Sequence, residues 1–348
     1  MHHWKGENLA TVTIRDVARI AGVSPGTVSR AMNGSPLVNA STRMRILDVV
    51  SNLNYSPNLT ARKLSIGKTL TISVILPFLT RPAYIDRLNG AISMLSQSSY
   101  DLVIHAVQDP EQRDALLAGI LHRERADGVL IISLPPKEKE LDLLMKADIP
   151  VILIDARHEK LTGIDQVFID DVEGGKKATR HLIELGHTHI GYIGDMVDTP
   201  FHFISSRDRY RGYRLALQEA NIPFNNGYYA EDEHGRLEAR HLATKMLTAK
   251  RPPSAIFAYS DTTAWGVMEA AQNLGMNIPG DLSVIGFDNI EIAEYLKLTT
   301  IHQPLFESGQ RGLELLLERL EDPQKPACQE KQEIELVLRS TTAPPRQQ

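Results

Sequence analysis

The stretch TIRDVARIAGVSPGTVSRAMNG, residues 13–34, reads as two short helices around a tight turn. Thr13 offers an N-cap, and Asp16, three residues on, can return the bond. Ile14, Val17, Ala18 and Ala21 recur at helical spacing and form one apolar stripe. Gly22 is expected to end the first helix by taking positive φ. Ser24 caps the second helix, and Pro25 stands at its first position, where a missing N–H costs nothing. Val28 and Ala31 then face the first helix, and Val23 seals the turn. Thr27, Ser29 and Arg30 are left on the outer side. A third helix is expected over residues 41–53, with Met44, Leu47, Val50 and Leu53 as its apolar line. Three short helices with contacts this small match a helix-turn-helix unit, whose second helix enters the major groove. Thr27 and Ser29 would meet phosphates or base edges there, and Arg30 a guanine edge or a phosphate. The other reading of the local pattern is a plain helical hairpin built from small residues.

Charge agrees with a polyanion at this end. Residues 1–66 hold eight Lys and Arg against three Asp and Glu, a surplus of +5 on a chain whose net charge is −5, so the remainder carries −10. Residues 55–58, YSPN, make a turn, and residues 59–64, LTARKL, are too few for a stable isolated helix. Braced by a DNA minor groove or a symmetry mate, that segment would fold on binding, with Leu64 a wedge between base steps. The alternative is an ordinary linker with Leu64 packed on the body.

At 348 residues the chain is too long for one ordinary core. It has no apolar run of 18 residues, so no membrane span is expected. Residues 1–10 are polar and do not read as a secretory signal, which makes a cytoplasmic location the expectation. Cys328 is the only cysteine, which leaves no intrachain disulfide and no thiolate metal cluster. No metal or cofactor is expected. Beyond the head, strands are expected at residues 70–76, 102–106, 128–132, 151–154, 190–193, 255–259 and 283–286. Helices are expected at 84–95, 111–124, 174–185, 207–220, 262–273 and 305–320. Such alternation implies parallel sheets covered on both faces, joined by right-handed crossovers. There is about twice as much of it as one open sheet needs, so two lobes with a cleft between them fit better. A ligand would sit off the C-terminal strand ends, which directs attention to Phe78, Arg81, Tyr84, Asp155, Asp195, Ser260, Asp261 and Asp288.

The head resembles the LacI/GalR family of bacterial transcription regulators: residues 13–34, then LNYSPN, then ARKL occur in the family's order and spacing. The resemblance implies that Pro25, Gly26 and Arg30 hold the main specificity positions of the recognition helix. It makes residues 58–64 the hinge helix and Leu64 its intercalating leucine. The glycine at 26 departs from the long polar side chain often found there, so readout is expected to fall to Arg30, Ala61 or Arg62. Thr13, Thr27, Ser29 and Asn58 complete the expected DNA contacts. The likeness continues through IDDVEGGKKATRHLIELGHTHIGYIG (169–194), RDRYRGYRLAL (207–217), SDTTAWG (260–266), DLSVIGFDN (281–289) and LTTIHQP (298–304). It implies an α/β chain with a body of the periplasmic sugar-binding-protein fold that binds a small effector and dimerises. The expected domains are a helix-turn-helix head, 1–56, a hinge helix and linker, 57–67, and an effector-binding and dimerisation body, 68–345. One lobe would be formed by 68–169 and 302–332, the other by 170–301 and 333–345.

Carried over by position, Arg209, Ser260 and Asp288 are expected effector contacts, with Phe78 and Phe168 as stacking residues; Tyr84 joins them from the first strand end. A sugar is the expected effector. Asp288 and Arg209 would take its hydroxyls, and Phe78 and Trp265 its C–H faces. A purine or other planar metabolite is the alternative. Each residue also has a plainer reading: Trp265 as a helix–sheet core residue, Asp288 as a loop cap, Arg209 as a salt-bridge partner of Asp208 or Glu219. The loop DTPFHFISS, 198–206, either contacts the ligand through its aromatics or packs down.

The expected function is a DNA-binding transcriptional regulator, a repressor, that acts as a homodimer on a pseudo-palindromic duplex. A solute-binding protein without DNA activity is the less favoured alternative. No enzyme is expected. The chain has no HExxH, Walker or GxSxG motif, His181, His187 and His189 lack metal spacing, and Asp170 and Asp171, read as strand neighbours, would point to opposite faces. The tail RSTTAPPRQQ carries no leucine heptad, which favours a dimer over a tetramer, and its composition suggests disorder.

Overall fold

The computed structural model describes residues 12–55, 67–96, 98–122, 124–198 and 201–346, in two compact units, Met1–Thr69 and Leu70–Gln348. In the first unit, Thr13 caps α1 (Ile14–Ala21) through a reciprocal box with Asp16, and Gly22 ends it at φ 67°. The Ser24 side chain accepts from the Thr27 N–H at the start of α2 (Pro25–Met32), and Asn39 caps α3 (Ala40–Asn52). Val17, Ala18, Ala21, Val28, Ala31, Val38 and Ile46 form the core.

The apolar line expected on α3 is corrected. Met44 is 67% exposed and Leu47 45%, whereas Ile46 is fully buried, backed by Val49, Val50 and Leu53. A strict three-residue spacing drifts round a helix of 3.6 residues per turn. The face held by α1 and α2 follows 46, 49, 50 and 53 instead.

The second unit holds two six-stranded sheets. The first contains β1 (Thr71–Pro77), β2 (Asp101–Val107), β3 (Gly128–Ile132), β4 (Val151–Ile154), β5 (Asp165–Phe168) and β11 (Gln329–Lys331), in the order β11-β5-β4-β3-β1-β2. The second contains β6 (Ile190–Asp195), β7 (Tyr229–Asp232), β8 (Ala255–Ala258), β9 (Ser283–Asp288), β10 (Thr299–His302) and β12 (Glu335–Val337), in the order β12-β10-β9-β8-β6-β7. The two orders are the same once each strand is matched to its counterpart, so the body is an internal structural repeat. Central strands such as GVLII and AIFA are buried throughout, as strands covered on both faces must be.

The helices of the body are α4 (Pro82–Leu95), α5 (Pro110–Ile120), α6 (Leu141–Met145), α7 (Asp171–Glu184), α8 (Ile204–Glu219), α9 (Arg236–Leu247), α10 (Asp261–Asn273), α11 (Glu291–Tyr295) and α12 (Leu305–Glu321). The fifth strand of each sheet sends its chain to the other lobe. After β5, α7 packs on α8 of the second lobe; after β10, α12 packs on α4 of the first. Both crossings are made at glycines. A Cβ on Gly309 of α12 would fall inside the Arg87 carbonyl of α4, and one on Gly175 of α7 inside the Arg209 carbonyl of α8.

Several elements were not anticipated: β5, β7, α9, β10 and the short edge strands β11 and β12. β7 (YAED) is half-buried throughout, and β11 (QEK) has exposed ends, so neither carries an apolar run. β12 runs antiparallel to β10, an exception to the all-parallel expectation. The tail is also corrected through residue 346. Arg339 donates to the Leu298 carbonyl at 2.7 Å, Thr341 to the Val284 carbonyl at 2.7 Å, and the Ala343 N–H to Ser283 Oγ at 3.0 Å. Backbone and side-chain bonds to the starts of β9 and β10 order it despite its composition. Among the described residues, no helix is long and apolar enough to cross a membrane.

Candidate effector cleft and DNA-reading helix

On α2, Pro25, Gly26, Ser29 and Arg30 are exposed and Thr27 is half-buried. Thr27 Oγ1 lies 2.9 Å from Ser24 Oγ, and Thr13 donates its hydroxyl to Asp16 at 2.7 Å, so both hydroxyls are occupied within their own caps. A Cβ on Gly26 would lie 3.6 Å from Arg30 Nη2, in ordinary contact. The Arg30 guanidinium therefore reaches back beside the bare backbone at 26, one helical turn away. Gly26→Ala is expected to stabilise this helix by about 0.5 kcal/mol, because the Cβ fits and the unfolded chain loses freedom. Slower amide exchange in α1 and α2 would show it, and faster exchange would contradict the fit. Asn58, Ala61, Arg62 and Leu64 lie outside the described residues.

Between the lobes lies a cavity lined by Arg81, Tyr84, Arg87, Asp155, Arg209, His234, Asp288 and Gln303, among others. Its walls are strand ends and first helical turns. Asp288 closes β9 at φ 109°, and Asp155 follows β4 at φ 53°. Arg209, on α8, is 3% exposed. Its Nε donates to Asp171 at 2.8 Å, and its Nη1 to Asp288 at 3.2 Å and to the Tyr259 carbonyl at 2.9 Å. The guanidinium also lies 3.6 Å from the centroid of the Phe287 ring. Arg87, on α4, pairs with Asp155 at 3.2 Å and donates to Gln303 Oε1 at 2.9 Å. Gln303 Nε2 then donates to Asp288 at 2.5 Å, which links the two lobes. On the far side, Asp195 accepts from His234 at 2.8 Å and faces Arg81 at 3.7 Å.

Burial pushes the Asp171 carboxyl up to about 6 and raises that of Asp288, and in both cases the Arg209 charge pulls back. Burial works against the Arg209 cation, but Asp288 and Asp171 outweigh it and hold the guanidinium charged. Burial raises the Tyr84 phenol to about 12. Asp261 does not line this cavity. It accepts from the Ile290 N–H at 2.9 Å and from Thr300 Oγ1 at 2.5 Å, pinning the loop that carries Asp288.

The structure thus brings Arg81, Tyr84, Asp155, Arg209 and Asp288 to one cavity, whereas Phe78, Phe168, Ser260 and Trp265 do not line it. Phe78 lines the wider mouth of the cleft, but the Arg81 guanidinium stands 4.4 Å from its ring centroid and Phe201 meets it edge-on at 5.6 Å. Ser260 spends its hydroxyl on the N-cap of α10, through the Thr263 N–H and Oγ1. Trp265 stands on α10 with Arg236 at 4.7 Å from its ring and does not line the cavity. Phe168 lines a neighbouring recess with Asp170 and Asp171, its ring faced by Arg157 at 4.5 Å. Asp170 and Asp171 are not strand neighbours: Asp170 caps α7, and Asp171 is its first residue, turned onto Arg209. Arg209 pairs with Asp171 and Asp288, not with Asp208 or Glu219.

Sequence reasoning missed Arg87, His234 and Gln303. Arg87 had a signal: Tyr84, Arg87, Leu88 and Ala91 share one helical face, and an arginine on an apolar stripe needs a buried partner. The loop aromatics pack down. Phe201 and Phe203 follow a second-lobe strand yet are buried in the first lobe's core, beside Val107, Leu134 and Leu161.

A model of bacterial regulatory proteins of the lacI family matches residues 13–58, and one of a periplasmic binding protein-like domain matches residues 179–342. The transcriptional repressor PurR of Vibrio vulnificus (strain CMCP6) is 35% identical over 332 residues, 94% of this chain and 98% of its own length. Among solved structures, the lac repressor dimer bound to operator and the anti-inducer ONPF is similar with a TM-score of 0.84 and 27% identity, over 95% of this chain and 99% of that one. A complex of the transcriptional regulator CelR with cellobiose gives 0.69 and 25%, over the same 95% and 99%. With a third of its residues shared along nearly its whole length, and with a helix-turn-helix head and a two-lobed body already in view, this chain belongs to the lacI family of bacterial regulatory proteins.

Proposed function

We propose that this regulator reads a pseudo-palindromic operator with paired α2 helices, and that a neutral sugar in the inter-lobe cleft sets its affinity for that DNA. Charge balance in the cleft carries the sugar reading. Asp155 is met by Arg87, Asp288 and Asp171 share Arg209, and Asp195 is met by Arg81 and His234. An anionic ligand would have to break one of these pairs and leave a carboxylate uncompensated, at a cost of several kcal/mol. A hydroxyl fits between them without changing the charge, donating to the carboxylate and accepting from the guanidinium. Each such charge-assisted bond is worth roughly 1.5–3 kcal/mol, so a few suffice for micromolar affinity.

A planar metabolite is the second reading, favoured by the half-buried Phe78 ring at the mouth of the cleft, which Phe201 backs at 5.6 Å and Phe203 at 6.3 Å. Calorimetric titration of the full chain with mono- and disaccharides and with purine bases separates the two. Heat from a sugar supports the first reading, and heat from a purine alone replaces it with the second. On the DNA side, binding should weaken steeply between 50 and 200 mM salt, as phosphate contacts by the basic head require.

A further inference from the structure

The two lobes repeat one arrangement around an arginine. In the first lobe, Arg87 precedes Gly90 by three residues on the helix that follows β1; in the second, Arg209 precedes Gly212 by three on the helix that follows β6. A Cβ at either glycine would fall into the backbone of the helix delivered from the other lobe, at Phe306 in α12 or at Val172 in α7. This seats both arginines at corresponding points of the cleft. Each then meets the aspartate that ends or follows the fourth strand of its own lobe at positive φ, Asp155 for Arg87 and Asp288 for Arg209. Each takes a further partner near the start of a crossing helix, Gln303 for Arg87 and Asp171 for Arg209. Both arginines are 3% exposed and both line the cavity. Arg87 also keeps an unspent donor, since its buried Nε has no hydrogen-bond partner.

We propose that Arg87 is a second effector-binding arginine, so that the cleft grips its ligand by two guanidinium–carboxylate couples on opposite walls. Such a site selects a sugar ring with two hydroxyl-bearing edges, one read by Arg87 and Asp155, the other by Arg209 and Asp288. Gln303, whose amide joins Arg87 to Asp288, ties the two couples together. This inference rests on the sugar reading and adds to it the number and placement of the edges.

The test titrates the full chain with D-glucose, D-galactose, D-mannose, cellobiose and maltose, then with monodeoxy analogues of whichever sugar unit binds best. In the wild-type protein, removing a hydroxyl at either edge should weaken binding about 30-fold, as loss of a charge-assisted bond does. Arg87→Met should weaken the parent sugar to a similar degree and reduce the deoxy penalty at one edge to less than about 3-fold, leaving the other edge unchanged. A merely structural arginine would lower affinity for every analogue equally and flatten neither edge. If Arg87→Met fails to fold because Asp155 is left unpaired, the Arg87→Met/Asp155→Asn double variant removes both charges and carries the same comparison. Sugar binding with deoxy penalties unaltered in these variants overturns the role of Arg87 and leaves the sugar reading standing. Absence of heat from every sugar overturns both.

Discussion

Gly309→Ala is expected to destabilise the body by about 3 kcal/mol or more, one of the larger effects of any single methyl group in this chain. The added carbon would fall inside the Arg87 carbonyl, and that obstacle is helix backbone, which cannot rotate aside as a side chain does. Relief requires α12 to move off α4. That would pull Leu313 and Leu316 out of the core they share with Leu88 and Ala91, and tilt Arg87 away from Asp155. Urea unfolding monitored by far-ultraviolet dichroism reads the loss. Gly119→Ala is the matched control: it also lies in a helix, but nothing stands within 4 Å of its added Cβ. It should leave stability unchanged or raise it by about 0.5–1 kcal/mol. Equal effects of the two substitutions would mean that the helices do not cross at backbone contact.

Asp288→Ala is expected to reduce effector affinity by about 100-fold or more while leaving effector-free operator binding within a few-fold of wild type. The carboxylate accepts from Arg209 at 3.2 Å and from Gln303 at 2.5 Å, so its removal deprives a ligand of an acceptor and frees two donors at once. Arg209 keeps Asp171 at 2.8 Å, which softens the cost of stranding a buried charge. About 2 kcal/mol of stability should be lost, where breaking an isolated buried pair would cost 3–5 kcal/mol. Titration calorimetry and fluorescence anisotropy on labelled operator measure the two affinities separately. Unchanged effector affinity in the variant would remove Asp288 from the site.

Much of this architecture is legible in the sequence because its signals are local. Caps at Thr13 and Ser24, the left-handed Gly22 and Pro25 at the first turn are each fixed by a few neighbouring residues. The central strands announce themselves as short apolar runs; the edge strands β7, β11 and β12 do not, since their pairing is supplied by a neighbour and not by their own composition. The cleft is legible in part. Arg209 and Asp288 lie within long motif-like stretches, but the partnership of Arg87 with Gln303 spans 216 positions and has no local trace. Trp265 and Ser260 misled for the opposite reason. Ser260 follows the end of β8 and Trp265 stands on the helix after it, yet helix geometry turns Trp265 onto Arg236 and gives Ser260 a cap to make.

Occupancy of the inter-lobe cleft and DNA affinity are expected to be two ends of one coupled equilibrium. The most direct test selects duplexes from a random pool with the full-length protein, then measures affinity for the recovered sequence with and without a saturating sugar, in the wild type and in Asp288→Ala. The expected outcome is a pseudo-palindromic sequence, a change of at least about 5-fold on adding sugar to the wild type, and little or none in the variant. A recovered operator whose affinity is the same with and without bound sugar would contradict it.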